Sequence, residues 1–149
     1  MPASGGDIGK RLRILTAVVA IAGCGTAFAH EVTVADLTVV HPRLIVASSD
    51  SDTGYLFATL VNKGMAVENL RAVFSSEAKS IVIGDSIEEA FVSIPGNGTA
   101  QIGPSGVGVT FEGLSGPHFE ESTIRLVLVF EHAGEVTADA VVEIYNDID

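Results

Sequence analysis

An all-β fold of eight or nine short strands, joined as an antiparallel Greek-key sandwich, is what this sequence predicts. Three observations carry that expectation. No stretch after residue 30 has a helical period. Runs rich in Val, Ile, Thr and Leu recur at roughly 8–12-residue intervals, with turn residues between them. One run, Val107-Gly-Val-Thr-Phe-Glu112, alternates strictly: Val107, Val109 and Phe111 fall on one face, and Gly108, Thr110 and Glu112 on the other.

Taken in order, Val32 to Val40 is a β-branched run that His41-Pro42-Arg43 interrupts, because proline cannot donate to a strand ladder. Leu44 to Ala47 resumes it. Ser48 to Gly54 is a polar loop. Tyr55 to Val61 reads as a buried strand, and Asn62-Lys63-Gly64 as a tight turn. Val67 to Phe74 and Lys79 to Gly84 follow as strands. Asp85 to Ala90 is acidic and ambiguous, with a short helical turn as one reading. Phe91 to Ile94 is a strand, and Pro95 to Gly98 a turn. Thr99 to Ile102, Val107 to Glu112, Thr123 to Phe130 and Val136 to Tyr145 complete the set, with His132-Ala-Gly134 as a hairpin tip.

Residues 1–29 have the layout of an export segment. Lys10, Arg11 and Arg13 precede an apolar run from Ile14 to Gly25, and Ala27-Phe28-Ala29 is a small-x-small cleavage site. The apolar run is too short and too glycine-interrupted for a transmembrane helix. The expected mature chain is 30–149, one periplasmic domain without a membrane span. A second processing site is open: Ile21-Ala22-Gly23-Cys24 resembles a lipoprotein box, in which Cys24 would carry a lipid anchor. With one cysteine in the sequence, no disulfide forms within the chain.

The full chain has 8 Lys+Arg and 19 Asp+Glu. Losing Lys10, Arg11, Arg13 and Asp7 leaves 5 and 18, a net charge of −13 with His neutral. That balance excludes nucleic acid as an expected partner, since phosphate binding needs a basic stripe. It favours solubility, and a cationic partner or metal ion.

Motifs for enzyme chemistry are missing from the sequence. There is no P-loop, no dinucleotide fingerprint and no nucleophile elbow. Gly103 to Gly108 is glycine-dense but lies between strands. Glu88-Glu89 and Glu120-Glu121 are adjacent pairs whose members point apart in extended chain, so they read as solvated loop charge. Of four histidines, His30 would be the mature N-terminus, where a free α-amine and an imidazole on one residue can chelate Cu(II) or Ni(II). A plain terminal residue is the alternative. His41 reads as structural, and His118 and His132 as exposed. Met65 sits in a turn with no sulfur neighbour in sequence. The expectation is a non-enzyme, monomeric by default.

An ordered set of motifs resembles the PCu(A)C-type periplasmic copper chaperones. Its members are Ala29-His-Glu-Val, Asp36-Leu-Thr-Val-Val-His-Pro42, Gly54-Tyr-Leu-Phe-Ala-Thr-Leu-Val-Asn-Lys-Gly64, Ser93-Ile-Pro95, Gly113-Leu114 and Leu126-Val-Leu-Val-Phe-Glu-His-Ala-Gly134. The resemblance implies a cupredoxin-like β-sandwich that binds copper through His and Met and passes it toward cytochrome c oxidase. It also implies where the ligands should stand. The family's first His falls on Gly84, and its His-x-Met on Gly108-Val109-Thr110. The Met-rich hairpin between them is replaced by Asp85 to Ala90, without Met. Glycine and threonine supply neither imidazole nor thioether. The sequence therefore predicts a copper-chaperone relative with a degenerate site. A diverged β-sandwich of the cell envelope that has left copper altogether is the alternative.

Overall fold

A computed structural model describes residues 31–85 and 90–145. The strands are β1 (Glu31–Val34), β2 (Leu37–Val46), β3 (Thr53–Asn62), β4 (Glu68–Phe74), β5 (Ser80–Ile83), β6 (Val92–Ile94), β7 (Gly98–Ile102), β8 (Val109–Glu112), β9 (Thr123–Phe130) and β10 (Gly134–Ile144). They form one sheet in the order β5-β8-β3-β2-β10-β9-β4-β6. β1 adds to β2, and β7 adds to β3. The ends of that path approach each other, with β4 beside β5 and β6 beside β7, so the sheet curls into two layers around one core. An all-β sandwich is the fold class of the described residues.

Alternation builds the core. Leu44 and Val46 of β2 point in, as do Leu56, Ala58 and Leu60 of β3, and Ile124, Leu126, Leu128 and Phe130 of β9. Phe111 of β8 is wholly buried, and such a side chain contributes about 1.5–3 kcal/mol by leaving water.

Four expectations change. The run Val32 to Val40 is two strands, because Ala35 adopts a left-handed φ of 55° and folds β1 back on β2 with Val34 opposite Leu37. His41-Pro42 does not end β2. The extra residues are absorbed as a bulge between Val40 and Arg43, with His41 at φ 48°, and a bulge is where a strand tolerates proline. The sheet is not purely antiparallel: β10 pairs with β2 in parallel, Val141 to Ile144 against Arg43 to Val46. Finally, β8 begins at Val109, and Val107 is only partly buried, outside the strand. The division at Ala35 brings the strands among the described residues to ten rather than eight or nine. The export segment 1–29, Cys24, His30 and the Glu88-Glu89 pair lie outside the described residues.

Candidate functional site

Strand β3 has two partners along one edge, and the site lies where they change over. Tyr55 pairs with Thr110 of β8, while Ala58 pairs with Ile102 of β7. Between them Leu56 and Phe57 have no cross-strand partner on that edge, because residues 103–108 leave the sheet as a loop. The loop is tied by Gly106 N–H to Gly103 O at 3.0 Å, Gly103 N–H to Val107 O at 3.1 Å and Val107 N–H to Gln101 O at 3.3 Å. Gly106 is required there, since a Cβ would collide with the carbonyl of Gln101.

The resulting cleft measures about 470 Å³. Tyr55, Phe57, Ile45 and Pro104 give it apolar walls, and Asp85, Gly108 and Thr110 lie along its other side. Tyr55 is 53 % exposed despite standing mid-strand. A second cleft of about 350 Å³ shares Phe57 and Pro104 with it and continues toward His41 and Gln101. Arg43 stands over the Phe57 ring at 5.5 Å and meets both Glu143 carboxylate oxygens at 3.3 Å.

The three positions expected to carry the copper ligands come together on this face. Val82 is opposite Thr110, and Ile83 opposite Val109. One step further, Gly84 N–H donates to Gly108 O at 2.7 Å. Their chemistry does not fit a copper ion. Gly84 and Gly108 have no side chain and Thr110 offers a hydroxyl, which is a poor partner for Cu(I). Gly84 also has a left-handed φ of 74°, a conformation that a side chain such as imidazole adopts only with strain. At Gly108 a Cβ would meet nothing within 4 Å, so that position is open space.

Other histidines do not supply the missing donors. His118, expected to be exposed, is 4 % exposed. Its Nε2 lies 2.7 Å from Ser51 O, and its backbone N–H donates to Ser49 O at 2.7 Å, so it pins loop 115–122 to loop 48–52. His132 is at the β9–β10 hairpin tip and exposed, as expected. Among the described residues, no group of three or more His, Cys, Asp or Glu side chains is placed to hold a metal ion.

Sequence reasoning missed Glu68, a carboxylate buried at the start of β4. It accepts the N–H groups of Asn69, His132 and Ala133, each at 2.9 Å, and its Oε1 is 3.3 Å from His132 Nδ1. Burial pushes its pKa up, but the His132, Asn69 and Ala133 N–H groups and the His132 charge together hold it below the ordinary value. Beside it Glu131 is held below the ordinary range, first by Arg71 and then by Asn69. Nothing local in VENLRAVF marks Glu68 as buried; two of its three N–H donors come from a hairpin more than sixty residues away.

No protein-family model matches this chain, and no curated protein sequence matches it. Solved structures do. The apo PCuAC domain from PmoF1 superposes with a TM-score of 0.71 at 28 % identity, covering 78 % of this chain and 100 % of that one. The copper-bound PCuAC domain from PmoF2 gives the same TM-score and identity, covering 78 % and 99 %. The solution structure of CuI-DR1885 from Deinococcus radiodurans matches with a TM-score of 0.60 at 18 % identity, covering 78 % and 83 %, a likeness of fold alone. Fold and register thus define a PCuAC-like β-sandwich with a cleft on its β5-β8-β3 face. Over 78 % of its length the chain is similar to the PCuAC domains from PmoF1 and PmoF2.

Proposed function

We propose that this protein is an exported member of the copper-chaperone class whose copper face is degenerate, and that it works in the cell envelope as a binding or accessory protein. The observation that carries this reading is the meeting of Gly84, Gly108 and Thr110 on one face of an otherwise conforming PCuAC-type sandwich. The scaffold is kept and the soft ligands are not. Two of the structural neighbours are copper-bound, and assembly of the cytochrome c oxidase copper centre is the setting that the sequence resemblance implies.

A second reading keeps copper as cargo, held as Cu(II) by the α-amine and imidazole of His30 after cleavage at Ala29. Its support is the small-x-small site before His30. Lipidation at Cys24 would leave His30 internal and remove that chelate.

Titrating the purified mature protein with Cu(I) against a competing chelator tests the first reading. No retention of Cu(I) is expected, and tight stoichiometric binding would sink the degenerate site. Mass spectrometry of the mature N-terminus decides between Cys24 and His30. Cu(II) binding that disappears when the N-terminus is extended would establish the second reading.

A further inference from the structure

We propose that the cleft on the β5-β8-β3 face is a docking groove for an extended partner segment that carries both apolar and cationic side chains. This rests on the accessory reading above, and it names the class of partner.

The groove begins with a transverse row of outward side chains. Val82, Thr110, Tyr55 and Ile45 stand in register across β5, β8, β3 and β2. Val82 is 44 % exposed and Tyr55 53 %. Apolar side chains of that size, uncovered on either side of Thr110 in one row, mark a binding surface more than chance exposure does. Behind the row the sheet edge opens at Phe57, and the two clefts that share Phe57 and Pro104 make a continuous furrow. Its outline suits an extended chain, whose alternate side chains would enter the two lobes.

Charge selects the occupant. Asp85 lines the groove, and Glu112 is the next outward residue after Thr110 on β8. Neither carboxylate forms an ion pair among the described residues. Arg43, the cation lining the furrow, is taken up by Glu143. The groove thus combines an exposed aromatic ring with one carboxylate, Asp85, that has no cationic partner among the described residues, and Glu112 stands on the strand beside it. Lys or Arg on the incoming segment would meet Asp85, and its apolar groups would cover Tyr55 and Phe57. A second copy of this acidic chain is the less complementary occupant.

Two synthetic peptides of equal length test this by amide chemical-shift titration of the mature protein, one alternating Leu with Lys and the other Leu with Glu. The Leu/Lys peptide should shift Tyr55, Thr110, Gly108 and Asp85, and raising the salt should weaken it. The Leu/Glu peptide should shift nothing. Tyr55→Ser, an outward position that leaves the core intact, should weaken the Leu/Lys peptide about tenfold. Asp85→Asn should weaken it about threefold and flatten the salt dependence. Equal response to both peptides, shifts spread over the whole acidic surface, or affinity unchanged by both variants would overturn the docking groove. So would shifts at these residues that grow with protein concentration alone, which would assign the face to a second copy. The Cu(I) titration is read separately, so the groove and the degenerate site fail independently.

Discussion

The backbone N–H of Gly84 meets the carbonyl of Gly108 at 2.7 Å, so two residues 24 positions apart stand shoulder to shoulder at the mouth of one cleft. Thr110 follows Gly108 on the same face. The three positions at which the sequence resemblance places copper ligands thus adjoin one another, and none carries an imidazole or thioether.

Replacing both Gly108→His and Thr110→Met should create a Cu(I) site. Gly108 has open space for an imidazole, and Thr110 points to the same side. We expect the double variant to hold Cu(I) against a chelator at least about tenfold better than the parent, a gain of roughly 1.4 kcal/mol. A variant no better than the parent would show that this register does not correspond to the copper face. Gly84→His should add strain instead, about 1–2 kcal/mol, because of its left-handed backbone.

The neighbouring glycines give an internal contrast. A Cβ on Gly106 collides with the Gln101 carbonyl, whereas one on Gly108 touches nothing within 4 Å. Chemical denaturation should find Gly106→Ala destabilised by about 2–3 kcal/mol. Gly108→Ala should stay within about 0.5 kcal/mol of the parent.

Glu68 should dominate acid sensitivity. Its folded pKa lies below the ordinary 4.5, so its contribution is complete above that value and is lost as pH falls through the folded one. Urea unfolding followed from neutral pH into the acid range should show this loss. Glu68→Gln should flatten the acid limb while lowering stability at neutral pH. Glu68→Ala should cost about 2–3 kcal/mol at neutral pH, because buried N–H groups of the hairpin lose their acceptor. An acid limb unchanged in Glu68→Gln would refute the assignment.

His118 should behave as a structural clamp. His118→Ala removes a buried ring and leaves the Ser51 carbonyl without its donor, at a cost of about 1–3 kcal/mol. Hydrogen exchange should then report looser amides at Ser49, Ser51 and Thr53. The conservative His118→Gln should recover part of the loss. A denaturation midpoint unmoved by His118→Ala would end this reading.

Much of the fold was legible because alternation and turn chemistry are local signals. Tyr55 to Val61, Thr123 to Phe130 and the His132-Ala-Gly134 tip all emerged from neighbouring residues. Anchors beside them let the sequence place the expected ligand positions at Gly84, Gly108 and Thr110, and the register brings these three together. What escaped depends on distant partners. The burial of His118 comes from Ser49 and Ser51, and that of Glu68 from the β9–β10 hairpin. The parallel β2–β10 pair joins residues about a hundred apart, and no local pattern announces it. The cleft likewise results from β3 changing partners between Tyr55 and Ala58, a fact of register that composition does not carry.

The last strand, β10, is not an edge: it sits between β2 and β9 and ties the first long strand to the penultimate one. A nascent chain that has reached only β9 therefore leaves one edge of β2 and one edge of β9 without a partner. The slow closure expected of such long-range pairing has to wait for Gly134–Ile144, the last strand in chain order. Until then β2 and β9 are open templates for pairing with other chains. A truncation before Gly134 should consequently produce an aggregating polypeptide rather than a smaller working domain.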